Sequence, residues 1–122
     1  MNNLPTAIIG ASNKPDRYSY KAMIMLKTHG HDSYLVHPKL KEVNGQKVYP
    51  EIEAIKGHID TVTLYINPEL QTNIEKSLID SKVRRVIFNP GTENEALEKK
   101  LIASGKEVLR ACTLVLLSTD QY

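Results

Sequence analysis

The residues best suited to chemistry gather near the start of the chain. Gly10-Ala11-Ser12-Asn13-Lys14-Pro15-Asp16-Arg17-Tyr18 places a glycine, small polar residues and two cations, Lys14 and Arg17, in one loop. The apolar run Ala7-Ile8-Ile9 ends abruptly at Gly10, and a helical pattern begins near Ser19. Strand, glycine turn, polar loop and helix is the order that presents backbone N–H groups to a phosphate. The first N–H groups of such a helix lack partners, and the aligned peptides leave about half a positive charge there. Gly10, Ser12, Lys14, Arg17 and Tyr18 are therefore read as a loop that holds a pyrophosphate. A strand-to-helix turn that binds nothing has the same local pattern, so the rest of the chain must decide.

A second cationic group follows the next apolar run, at Val36-His37-Pro38-Lys39-Leu40-Lys41. In a nucleotide-binding βαβ unit this position lies beside the ribose, and an Asp or Glu here selects NAD. There is no acid here. His37 and Lys39 suit an additional phosphate on the ribose, as in NADP or coenzyme A, with His37 donating to the phosphate. Lys41 is read as solvated surface. Three apolar runs end in X-Pro, at His37-Pro38, Asn67-Pro68 and Asn89-Pro90. The residue before proline is pushed away from helical angles, so these are rigid corners. In a parallel sheet they share the carboxyl edge, where ligands of open α/β folds bind.

Other reactive groups are few. Cys112 is the only thiol, which excludes an internal disulfide framework and a cysteine-based zinc cluster. A reactive thiolate needs a positive neighbour, and Arg110 is the nearest candidate. His29 and His31 flank Gly30 at a spacing that makes a poor metal clamp, and no metal site is expected. Asp16 and Glu93 are placed to pair with loop cations, and no carboxylate dyad is apparent. No catalytic residue is assigned.

These groups must be positioned by elements legible in the pattern. Helical spacing of Ala22, Met23 and Leu26 predicts a helix over 20–30, closed by Gly30. Strands are expected over 33–36, 61–66, 85–88 and 106–109. Asn44-Gly45 between two short arms predicts a hairpin over 42–50, as an excursion outside the main sheet. A short helix is expected over 51–56 and long ones over 69–82 and 93–104. Thr92 is the expected N-cap of the last, with Glu95 completing a capping box. The run 114–117 is too short to assign to strand or helix, and 118–122 reads as a tail. Alternating strands and helices define an α/β domain with a parallel sheet and helices on both faces.

At 122 residues the chain fits one domain, over 1–122. Sixteen Lys and Arg against 14 Asp and Glu give a net charge of +2, too balanced to argue for nucleic acid. No apolar run has the length of a membrane span, and the N-terminus has neither the basic nor the apolar part of a signal peptide. With one cysteine, this favours the cytoplasm.

Ile8-Ile9-Gly10-Ala11-Ser12, Val36-His37-Pro38-Lys39, Val43-Asn44-Gly45-Gln46-Lys47-Val48-Tyr49-Pro50, Asn89-Pro90-Gly91-Thr92-Glu93-Asn94 and Cys112, in that order, resemble the small stand-alone CoA-binding domain proteins. Their fold is like that of the amino-terminal domain of the succinyl-CoA synthetase alpha subunit. The resemblance covers essentially the whole chain. It implies a single Rossmann-like, doubly wound domain of about five parallel strands. It also implies CoA or acyl-CoA as ligand, where the residues alone leave CoA and NADP open. Gly10, Ser12, Arg17 and Tyr18 would face the pyrophosphate. Pro38 and Lys39 would border the adenosine and its 3′-phosphate. Ile66, Asn67 and Pro68 would flank the ligand across the cleft, and Asn89, Pro90 and Gly91 would approach the pantetheine. Cys112 would lie near the tail of the ligand. The first turn is Gly-Ala-Ser and lacks the second glycine of G-x-G-x-x-G, which weakens a dinucleotide reading more than a CoA reading. The phosphate-carrying histidine domain and the beta subunit of the synthetase have no counterpart here. The expectation is a CoA-binding protein without catalytic machinery of its own, with an NADP-dependent small reductase as the alternative. A second copy or a partner enzyme is left open; neither nucleic acid nor membrane is expected.

Overall fold

The computed structural model describes residues 3–122. Met1 and Asn2, part of the segment read for a signal peptide, lie outside the described residues. The elements run β1 (Thr6–Ile9), α1 (Tyr18–Thr28), β2 (Ser33–Val36), β3 (Glu42–Val43), β4 (Gln46–Tyr49), β5 (Thr61–Leu64), α2 (Pro68–Gln71), α3 (Glu75–Asp80), β6 (Arg85–Phe88), α4 (Glu95–Ala103), β7 (Glu107–Arg110) and α5 (Thr113–Ser118). Single 3₁₀ turns occupy Ile52–Ala54 and Thr72–Ile74.

One sheet holds the strands in the order β3-β4-β2-β1-β5-β6-β7. All pairings are parallel except β3 with β4. The fold is thus the expected α/β Rossmann-like one, with six parallel strands in place of about five. β1 and β5 are buried along their whole length, as strands covered on both faces are. The period-2 alternation divides β1 between two cores. Ile8 packs with Leu35 and with Met23 and Leu26 of α1 and Leu117 of α5. Ala7 and Ile9 face Leu78 of α3 and Leu97 and Leu101 of α4. Helices therefore cover both faces.

The hairpin is not an excursion. Val48 and Tyr49 pair in parallel with Leu35 and Val36, which extends the sheet beyond β2. Val43 and Val48 are buried by this pairing, and β2 would otherwise present an open edge. Asn44 and Gly45 take the positive φ values, 51° and 80°, that a type I′ turn needs. The helix expected over 51–56 shrinks to the 3₁₀ turn. The helix expected over 69–82 is broken into α2, a 3₁₀ turn and α3. The break falls at Thr72, Asn73 and Ile74, all poor helix formers, beside a buried Gln71.

Thr92 is not the N-cap of α4. Asn89-Pro90-Gly91-Thr92 closes a type II turn, with the Thr92 N–H donating to the Asn89 carbonyl at 3.0 Å and Gly91 at φ +94°. Asn94 is the cap instead: its side chain accepts from the Leu97 N–H at 3.2 Å, and its own N–H donates to Glu98 at 2.8 Å. The run 114–117 lies in α5.

Residues 118–122 do not form a free tail. The Tyr122 hydroxyl lies 2.6 Å from Thr6 Oγ1, and its ring packs 5.0 Å from His31 and 4.4 Å from the buried Arg85 guanidinium. His31 Nδ1 accepts from the Leu4 N–H at 2.9 Å. Burial, with smaller contributions from His29 and Arg85, holds the His31 imidazole below its ordinary pKa. A depressed histidine favours the folded state in its neutral form. That contribution is complete above the unfolded value near 6.5 and is lost as pH falls through the folded value. The melting temperature is expected to drop between about pH 7.5 and about pH 5, and to drop less steeply in His31→Asn, which keeps an acceptor for Leu4 but does not titrate. Equal slopes in thermal scans of the two proteins would contradict this.

Candidate functional site

β1 leads through α1 to β2 on one side, and β5 lies on the other, with β6 and β7 beyond it. The strand order thus reverses at β1 and β5, and their carboxyl ends open the crevice used by ligands in such sheets. Gly10 stands at this point. Its φ is +95°, and a Cβ there would lie 2.9 Å from Ile66 Cγ2 and 3.1 Å from the Tyr65 carbonyl carbon. The backbone of the turn after β1 is therefore pressed against the turn after β5, which only glycine permits.

Two cavities meet at this contact and share Gly10, His37 and Ile66. The first, of about 360 Å³, is mainly apolar, walled by Ile9, Val36, Pro38, Ile52, Ile66 and Leu70. The second, of about 610 Å³, is open and polar, and runs past Ser12, Lys14, Arg17 and Tyr18 to Asn67, Pro90, Gly91 and Thr92. The N-terminus of α1 borders this second cavity. Arg17 stands at its N-cap without a side-chain cap hydrogen bond, and the first turn carries no acid. The first N–H groups of this 11-residue helix are thus open to an anion. The neighbouring helices differ: Asn67 caps α2 and Asn94 caps α4. Ser12 Oγ accepts from the Lys14 N–H at 3.0 Å, which orders the loop and leaves the hydroxyl proton available to a ligand.

His37 is held in one tautomer. Its Nδ1 accepts from the N–H groups of Lys39 at 3.0 Å and Leu40 at 3.1 Å. The proton of the neutral ring therefore sits on Nε2. Burial first, and then Lys39, lowers its pKa, so the ring is a neutral donor at physiological pH. Tyr65 borders the polar cavity with its phenol pushed up to about 12, chiefly by burial.

Most of the residues picked from sequence come together here; four do not line either cavity. Lys39 is exposed on the rim next to Pro38. Pro68 starts α2. Asn89 is buried beneath the cleft, donating to Thr63 Oγ1 and the Leu64 carbonyl and accepting from the Thr113 N–H. Cys112 is half-buried at the N-cap of α5, with Arg110 turned to Glu98 at 2.8 Å. Lys41 is exposed, as read. The N–H of Gly91, which lines the polar cavity, is taken by Glu93 at 2.9 Å. Sequence reasoning missed Tyr65, Leu40 and the apolar wall from Ile52 and Leu70. Tyr65 directly precedes Ile66-Asn67-Pro68, and its place at a strand end was the available signal. Among the described residues no three His, Cys, Asp or Glu side chains gather as metal ligands, and no helix is long and apolar enough to cross a membrane.

A single α/β domain with an anion-ready helix end at the switch point defines a nucleotide-binding class of fold. The chain belongs to the CoA binding domain family, whose profile matches residues 5–118. The solved structure of an uncharacterized protein is 44% identical, covers 100% of both chains and superposes with a TM-score of 0.93. That of a hypothetical protein from Pyrococcus horikoshii OT3 is 32% identical over 93% of this chain and 81% of its own, with a TM-score of 0.88. The alpha subunit of the ADP-forming acetate–CoA ligase II of Pyrococcus furiosus is 30% identical over 105 residues, 79% of this chain. The match spans only 22% of that subunit. Neither the family nor these relatives support an NADP-dependent reductase.

The Gly10 contact sets a stability test. Gly10→Ala forces a positive φ on an L side chain and drives its Cβ into Ile66, at a cost of about 2 kcal/mol. A chemical denaturation midpoint equal to that of the wild type would contradict this packing.

Proposed function

We propose that the protein binds CoA or acyl-CoA across the two cavities and carries no catalytic machinery of its own. The observation that carries this reading is the junction at Gly10, His37 and Ile66 of an apolar cavity with a polar one that ends at an uncapped helix. CoA has the matching parts: a flat aromatic base, a diphosphate and a polar, flexible arm. The adenine enters the apolar cavity, against Val36, Pro38 and Ile52. The diphosphate lies over Ser12 to Tyr18, where backbone N–H groups, Lys14 and Arg17 meet its charge. The His37 Nε2–H donates at the junction. The pantetheine follows the wall formed by Pro90 and Gly91 toward Tyr65. Lys39, on the rim beside Pro38, reaches the 3′-phosphate. Its exposed, mobile head keeps this contact modest and salt-sensitive.

No group in the cleft is arranged to attack the thioester. Tyr65 stays protonated, His37 has its basic nitrogen occupied, and Cys112 lies off both cavities. The protein holds the cofactor, and any reacting groups come from a partner protein.

Calorimetric titration tests the assignment. CoA is expected to bind, Arg17→Ala to weaken it about tenfold, and 3′-dephospho-CoA to bind several-fold more weakly than CoA. Lys39→Ala should abolish the difference between CoA and its dephospho form, because the phosphate then lacks its partner. Absence of heat with CoA at millimolar concentration would overturn the reading.

A further inference from the structure

Gln71 ties together two turns that border the polar cavity, yet it reaches neither the cavity nor solvent. It is fully buried in the four-residue helix α2. Its Nε2 donates to the Ile66 carbonyl at 3.0 Å and to the Thr92 carbonyl at 2.7 Å. Its Oε1 accepts from Asn94 Nδ2 at 3.0 Å. One carboxamide therefore joins the turn after β5, the type II turn after β6 and the cap of α4. Ile66 borders both cavities, and Thr92 with Pro90 and Gly91 forms the far wall of the polar one.

From this geometry we infer that Gln71 is a positioning residue that sets the width of the polar half of the cleft. The inference rests on the CoA reading above and adds to it a residue outside the contact set. The physical basis is the cost of unmade hydrogen bonds. A buried carbonyl without a donor is expensive, so removing the carboxamide releases both turns to find another donor, such as water. The Ile66 side of this tie borders both cavities, whereas Thr92, Pro90 and Gly91 border the polar one alone. Loss of Gln71 therefore acts most on the part of the ligand that lies between the two turns. The adenosine end, held also by β1, β2 and the 3₁₀ turn after β4, loses less. A merely structural role would weaken every ligand alike, through the folded fraction.

The test uses the full chain and two probes, CoA and adenosine 3′,5′-bisphosphate, which lacks the pantetheine arm. Gln71→Leu is expected to bind CoA about tenfold more weakly than wild type, with a clearly smaller loss, about threefold, for the bisphosphate. Gln71→Glu keeps the size and carries the test if the leucine variant does not fold. Its carboxylate faces two carbonyl oxygens, and protonation returns one donor. Its CoA affinity relative to wild type is therefore expected to recover as pH falls from about 8 to about 5.5, with a smaller recovery for the bisphosphate. Equal losses with both probes, or unchanged CoA binding, overturn the assignment to Gln71 while leaving the CoA reading standing. Failure of the wild-type chain to bind CoA removes both.

Discussion

The contact between Gly10 and the Tyr65–Ile66 backbone is the constraint on which the cleft depends. β1 and β5 are neighbours in the sheet, and the chain leaves them toward opposite faces. Their turns would normally diverge and leave a wide, shallow notch. A residue without a Cβ, at φ +95°, lets the first turn lie against the second. Everything that lines the site follows from that approach. Ile66 comes to border both cavities, the loop over 11–17 is aimed along the carboxyl edge, and α1 starts with its N-terminus toward the crevice.

The electrostatics of the edge follow the same division. Two of the helices that leave the sheet elsewhere on this edge are closed by their N-cap side chains: Asn67 for α2, Asn94 for α4. α1 alone among the three has no side-chain cap and meets two exposed cations. Exposed cations contribute little by themselves in water. Their value lies in adding to N–H groups and a helix dipole already pointing the same way, so that little reorganisation accompanies binding. A buried polar lattice keeps the floor rigid beneath them. Thr63 and Thr113 hydrogen-bond at 2.8 Å, and Asn89 joins β5, β6 and the start of α5.

Much of this was legible in the sequence because it is written in local pattern. The four-residue strands, the glycine turn, the X-Pro corners and the helix faces are short-range features, and the α/β class follows from their alternation. What was not legible needed partners distant in sequence. Val48 and Tyr49 belong to the sheet because β2 offers an open edge, which no window around Asn44-Gly45 contains. The family resemblance implies Asn89 as a ligand contact; its side chain is engaged by Thr63, Leu64 and Thr113. Tyr122 looked like a tail because its partners, Thr6, His31 and Arg85, come from β1, the loop before β2 and β6. Thr92 had the chemistry of a cap but is taken by the turn that Pro90 and Gly91 enforce. Gln71 gave no signal at all, since its role exists only where two turns come within reach of one side chain.

The central claim is that the switch point between β1 and β5 is where CoA sits. Backbone amide chemical shifts followed by NMR during a CoA titration test it most directly. The account predicts the largest changes at residues 11–20, at His37 and at Tyr65 to Asn67, with the amides of β7 and of the β3–β4 hairpin turn nearly still. Largest changes at β7, at the hairpin, or spread evenly over the chain would contradict it.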